Sequence, residues 1–147
     1  MTNNLDIRFY DTCSLLLAGE SLFESNKKFL LSSITIQELK RIKDSVNKDA
    51  DTKYSARLML KLLDENPDNF EIIWHTDVNR NDFPMHIDDD IRILSDAYVT
   101  NNTEYIDRII FVTNDISLKA IANHYFGDGM IESVIEEPDD YKGFKTV

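Results

Sequence analysis

Few residues in this chain can cross-link, kink or loop the backbone. Of 147 residues, one is cysteine, three are proline and four are glycine. A single cysteine, Cys13, excludes an internal disulfide framework. It follows an expected strand and reads as a buried, small apolar residue, with nothing in the sequence placing a base beside it. So little proline and glycine, beside a hydrophobic fraction of 42%, points to an ordered globular chain. Its size suits a single core. No apolar run approaches the roughly 20 residues of a membrane span. The opening MTNNLDIRFYD is polar with a short apolar patch, which excludes a secretory signal there. A reducing cytoplasm is the expected setting. Histidine is scarce as well: His75, His86 and His124 are too far apart for a zinc-ligand spacing and read as surface or packing residues.

Basic residues are in the minority. Sixteen Lys and Arg against 27 Asp and Glu give a formal charge of −11. That argues against a chain that grips polyanions through a general positive field, though not against one whose metal ions neutralise its own acids. The imbalance is uneven. Residues 40–61 hold seven of the sixteen (Lys40, Arg41, Lys43, Lys48, Lys53, Arg57 and Lys61) against Asp44, Asp49 and Asp51, so that window is +4 and the remainder −15.

What is present is an alternation. Short apolar runs at 7–10 (IRFY), 29–33 (FLLSS), 70–75 (FEIIWH), 109–113 (IIFVT) and 130–135 (MIESVI) read as strands. Between them, helical spacing predicts helices over 12–24, 35–46, 52–65, 90–101 and 116–125. Residues 76–87, with Pro84, read as a loop. The pattern implies an α/β fold with a mostly parallel sheet covered on both faces. Residues 1–135 form the expected domain, followed by a polar tail over 136–147.

Four acids occupy similar places. Asp11 directly follows the first strand, and Asp115 follows strand IIFVT after Asn114. Glu38 lies in the first turn of the helix after FLLSS, and Asp90 opens the helix carrying Ile93, Leu94 and Ala97. In an open parallel sheet the carboxyl ends of the strands line one edge, where ligands bind. Carboxylates brought together there repel, so they must take up protons or share cations. Oxygen-only donors suit Mg²⁺ or Mn²⁺. Each acid also has a plain structural explanation. Asp11 and Asp115 are good helix caps. Thr35-x-x-Glu38 matches a capping box, with Ile34 and Leu39 as its staple. Asp88, Asp89 and Asp90 complement a helix dipole. Capping alone does not require four acids at one edge.

The sequence resembles the PIN domain family. The resemblance is carried, in order, by Asp11-Thr12-Cys13-Ser14-Leu15-Leu16, by Ser33-Ile34-Thr35-Ile36-Gln37-Glu38-Leu39, by Asp90-x-x-Ile93-Leu94-x-x-Ala97, and by Phe111-Val112-Thr113-Asn114-Asp115-x-x-Leu118. It spans residues 7–135. It implies a three-layer α/β/α fold and a Mg²⁺- or Mn²⁺-dependent ribonuclease acting on single-stranded RNA. Asp11, Glu38, Asp90 and Asp115 are then the metal-site and catalytic acids, with Thr12, Ser14, Thr113 and Asn114 as the polar residues beside them. The runs ELKRIKDS, SARLMLKLLDE and DYKGF are similar to the PIN module of PhoH-like ATPases. No P-loop GxxxxGK[ST] occurs, so the ATPase half of such proteins is absent from this chain, which is then an isolated module or a fragment.

The implied chemistry is metal-activated water attacking a phosphodiester in line. Because the acids repel phosphate, the basic window is the expected wall of the RNA groove. There Lys40, Arg41 and Lys43 follow Glu38, and Lys53, Arg57 and Lys61 share a helix face. A solvated face or a contact between copies of the chain explains those side chains equally well. Two rival readings of the whole are a non-catalytic scaffold for RNA or protein, and a toxin-type nuclease held by an antitoxin. A phosphotransfer receiver fits poorly, because its paired acids and late lysine have no clear counterparts.

Overall fold

The computed structural model describes residues 6–103 and 108–134. Strand β1 (Asp6–Tyr10) leads into helix α1 (Thr12–Ala18) and a 3₁₀ segment (Gly19–Phe23). Strand β2 (Phe29–Ser32) runs straight into α2 (Ser33–Asp44), which α3 (Ala50–Glu65) follows. After a 3₁₀ turn come β3 (Phe70–Ile73), α4 (Asp89–Thr103), β4 (Arg108–Val112), α5 (Ile116–Ala122) and the short β5 (Ile131–Glu132). The five strands form one sheet in the order β3-β2-β1-β4-β5, all neighbours parallel.

A parallel sheet needs cover on both faces, and its strands are accordingly apolar on both sides. Phe9, Leu30, Ile109 and Phe111 face one way and pack with Ile93, Leu94 and Ala97 of α4 and Leu118 and Ala122 of α5. Tyr10, Leu31, Ile110 and Val112 face the other way, against Leu15 of α1, Leu39 of α2, and Ala56, Met59 and Leu63 of α3. This is the three-layer α/β/α arrangement, with its core split between the two faces. Truncating a fully enclosed residue such as Leu30 to Ala leaves a cavity costing about 2–5 kcal/mol.

Several local expectations change. The helix expected over 12–24 stops at Gly19, whose φ of +60° is readily adopted only by glycine, and a 3₁₀ segment replaces its second half. Helix α2 begins at Ser33 rather than residue 35. Its cap is Ser32, whose Oγ accepts from Ile34 N at 2.9 Å, and not a Thr35–Glu38 capping box. Glu38 therefore sits in the second turn, with no capping task. Cys13 is exposed, not buried, because α1 turns that position away from the sheet. Strand β3 ends at Ile73, and pairing in β5 covers only Ile131 and Glu132. The polar tail over 136–147, with its DYKGF run, lies outside the described residues.

A candidate acidic site at the carboxyl edge of the sheet

The strand order fixes where a ligand can enter. The chain steps outward from β1 to β2 and β3, then crosses back to place β4 on the other side of β1. The reversal falls between β1 and β4, and at such a switch point the two following loops part and leave a crevice at the carboxyl ends. Asp11 and Asp115 stand there. Pairing continues to the rim, where Asp11 N donates to Val112 O at 3.1 Å.

Each of these two acids also caps a helix. Asp11 Oδ1 accepts from Ser14 N at 2.9 Å, and Asp115 Oδ1 accepts from Leu118 N at 3.1 Å. Capping engages one oxygen of each carboxylate. The second oxygen takes no hydrogen bond among the described residues. Asp11 is almost enclosed, with 3% of its surface exposed, while Asp115 is exposed.

Glu38 and Asp90 come from the helices on either side. The Thr12 hydroxyl lies 3.1 Å from Thr35 Oγ1 and donates to Glu38 Oε1. Burial pushes the Glu38 carboxyl up, and the Thr12 hydrogen bond offsets part of that. In the Asp88-Asp89-Asp90 run, Asp88 Oδ1 accepts from Ile91 N at 2.9 Å, and Asp89 pairs with Arg92 at 2.9 Å and Arg41 at 3.1 Å. Asp90 has neither task. Its carboxyl is pushed up to about 6 by partial burial, then by the charges of Asp88, Glu38, Asp11 and Asp115. Cys13 senses the same group: partial burial raises its thiol first, followed by Asp11, Asp90, Glu38 and Asp115. The four acids thus share one electrostatic neighbourhood. No three of the described His, Cys, Asp and Glu side chains converge tightly enough to hold an ion as they stand. The fit to a divalent cation rests on donor chemistry: hard carboxylate oxygens, mutually repelling, with the Asp90 carboxyl raised by burial and by its neighbours.

The neighbouring polar residues hold the rim together. Thr113 is fully enclosed, and its Oγ1 accepts from Asp115 N at 3.1 Å. Asn114 Oδ1 accepts from Val134 N at 2.7 Å and, more weakly, from Ser14 Oγ at 3.4 Å. Its Nδ2 donates to Val134 O at 3.1 Å. The chain after β5 is thereby fastened to the end of β4.

A cleft of about 380 Å³ opens beside the acids, lined by Thr12, Cys13, Glu38, Arg41, Ile42, Ser45, Lys48 and Asp90. Of the basic residues expected there, Arg41 lines it; Lys40, Lys43, Lys53, Arg57 and Lys61 do not. Lys43 pairs with Asp44 at 3.3 Å, and Arg57 lies over the Tyr54 ring at 5.9 Å. Lys48, in the turn between α2 and α3, supplies the second positive charge of the cleft. Its place in the basic window was the only sequence signal for it. Sequence reasoning also missed a buried group at the ends of β2 and β3, in which Asp96 bonds to Ser32 and His75. The available signal was an acid at position 96, adjacent to Ala97 on the apolar face of its helix.

The profile of the PIN domain family matches residues 9–125, most of the chain. The chain belongs to the PIN domain family. No curated protein matches it. Among solved structures it is similar to a domain of a functionally unknown protein from Methanocaldococcus jannaschii, 17% identical, with a TM-score of 0.57, covering 90% of this chain and 92% of that one. At that identity the likeness speaks for the fold. PIN domains are generally nucleases, and a nuclease-type fold is what this chain has. The similarity to PhoH-like ATPases stays a reading of the sequence. Among the described residues, no helix is long and apolar enough to cross a membrane.

Proposed function

We propose that the chain is a divalent-metal-dependent ribonuclease that cuts single-stranded RNA at the crevice between β1 and β4. The observation that carries the reading is Asp90. In a run of three acids, its two neighbours have structural partners, while Asp90 is left among Glu38, Asp11 and Asp115 with its proton affinity raised. A protein that needed only caps and ion pairs would have no use for that concentration of like charge.

Asp11, Glu38, Asp90 and Asp115 would hold Mg²⁺ or Mn²⁺, which when bound supplies Lewis acidity and a water of lowered pKa. The chain's own groups do the rest. Thr12 keeps Glu38 turned toward the rim, and Thr113 fixes the turn that presents Asp115. A carboxylate of the cluster accepts the proton of the attacking water. Arg41 and Lys48, on the wall of the cleft, attract the phosphates that the acids repel.

The test is cleavage of a short single-stranded oligoribonucleotide with Mn²⁺, by the parent chain and by Asp11→Asn. The expected result is metal-dependent cleavage that falls at least about a hundredfold in the variant. Equal cleavage by both would sink the reading. Replacing Arg41 and Lys48 by Gln should weaken RNA binding and flatten its salt dependence by about one unit of slope per lost phosphate contact. If replacing Lys53, Arg57 and Lys61 does this instead, the groove runs along α3 and not through the cleft.

A further inference from the structure

Beside the ends of β2 and β3 lies a second polar group that the proposed chemistry does not use. Asp96, in the middle of α4, is 3% exposed. Ser32 Oγ donates to its Oδ2 at 2.7 Å, and its Oδ1 lies 2.9 Å from His75 Nδ1. The peptide N–H of His75 is held in turn, donating to Ser33 Oγ at 2.9 Å. Enclosing a carboxylate costs stability unless its partners are well placed, and an apolar residue would fill the space at less cost. A group retained on those terms calls for a reason.

The reason lies in which elements it joins. Ser32 ends β2 and caps α2, its Oγ accepting from Ile34 N at 2.9 Å while donating to Asp96. One hydroxyl therefore fixes both the start of α2 and the middle of α4. Glu38 lies six residues along α2 from Ser32, and Asp90 six residues back along α4 from Asp96. At 1.5 Å per residue, each acid stands about 9 Å from the shared anchor. His75 adds the chain leaving β3 as a third tie. Across the mouth of the site the same two helices are joined again by Arg41 and Asp89, at 3.1 Å, in an exposed pair that salt weakens. The buried tie is the one that solvent does not loosen.

We infer that Asp96, through Ser32 and His75, is a positioning residue that sets the separation of Glu38 and Asp90. This rests on the reading of those acids as cation ligands. Ligand carboxylates tolerate little displacement, and a shift of an ångström costs far more in binding and rate than in fold stability.

The test compares Asp96→Asn, which keeps the side-chain volume, with Met59→Ala, which opens a cavity in the layer of α2 and α3 remote from this group. Mn²⁺ affinity is read from free Mn²⁺ by electron spin resonance, thermal unfolding is followed alongside, and kcat and KM for the oligoribonucleotide are measured separately. Asp96→Asn should weaken Mn²⁺ binding about tenfold and lower kcat with KM for RNA little changed. Met59→Ala should lower Tm at least as much and leave Mn²⁺ affinity near that of the parent. A parent that binds Mn²⁺ and an Asp96→Asn variant that binds it equally well would overturn this inference alone. Equal weakening in both variants would also overturn it, by making the effect one of general stability. A parent indifferent to Mn²⁺ would overturn the metal reading and this inference with it.

Discussion

The two edges of the sheet treat charge in opposite ways. At the amino edge, acids meet bases. Asp6 and Arg108 face each other across β1 and β4 and form two hydrogen bonds, at 3.0 and 3.2 Å. Farther along the sheet, Arg8, in the middle of β1, holds both carboxylate oxygens of Glu132, at the carboxyl end of β5, at 2.8 and 3.1 Å. At the carboxyl edge, the Asp90 carboxyl is raised by partial burial and then by the charges of Asp88, Glu38, Asp11 and Asp115, with no base among them. The same strands run from one edge to the other, so the sequence that solves its electrostatics at one end leaves it unsolved at the other. Local rules that hold throughout a fold and fail in one place mark a functional site. The amino edge thus serves as an internal control for the carboxyl edge.

The comparison breaks most decisively on activity. Asp11→Asn should cost at least about a hundredfold in metal-dependent cleavage, whereas Arg108→Gln at the opposite edge should leave kcat and KM unchanged. A large kinetic effect from Arg108→Gln would show that the edges are not separable. The next effect has the opposite sign to most mutations. Asp90 holds its proton more tightly in the folded chain than in the unfolded one, with a folded pKa of about 6 against an ordinary 3.8. Its contribution to stability is therefore fully present below about pH 4, is lost as pH rises from there to about 6, and stays lost above. Asp90→Asn removes the repulsion. After discounting for partial exposure, Tm in a chelator at pH 7.5 should rise by about 4 °C, and the decline in stability between pH 4 and 6 should flatten. A lower Tm for the variant at pH 7.5 would mean that Asp90 has a stabilising partner and is not frustrated.

Much of this contrast was legible in the sequence, and what was not has physical causes. The run IIFV, apolar at every position, could only be a strand buried on both faces, and it placed Asp115 at a strand end without ambiguity. Asp11 and Asp115 as helix caps followed from residue type alone. Their adjacency did not, because it depends on β4 pairing with β1, and strand order is a tertiary property that short apolar runs do not encode. The capping box at Thr35 and Glu38 was a false match. Ser32, three residues earlier, takes the cap, since β2 passes into α2 with no intervening loop. That shift released Glu38 for the site. Cys13 looked apolar in one dimension, yet the turn of α1 carries it outward into the field of the acids. Asp96 was invisible as a partner because Ser32 is 64 residues away.

The smallest effects test what separates strong from weak ion pairs in this sheet. Arg8 and Glu132 are each partly enclosed, with side chains 33% and 40% exposed, and are joined by a two-pronged contact that spans β4, from β1 to β5. Arg8→Gln should cost about 1 kcal/mol, or about 2–3 °C in Tm. Arg108→Gln removes a pair of the same shape whose groups lie in solvent. Solvent and salt screen such a contact, and both side chains surrender rotamer freedom to make it. The guanidinium of Arg108 still holds the Asp6 carboxyl below the usual range, so the variant should show Asp6 titrating higher while Tm at physiological salt stays within error of the parent. A small loss should appear only at low ionic strength. If Arg108→Gln instead cost as much as Arg8→Gln at physiological salt, exposure would not be what separates strong from weak pairs in this sheet. The partly exposed Asp90 would then need less discount, and its expected gain in stability would be larger.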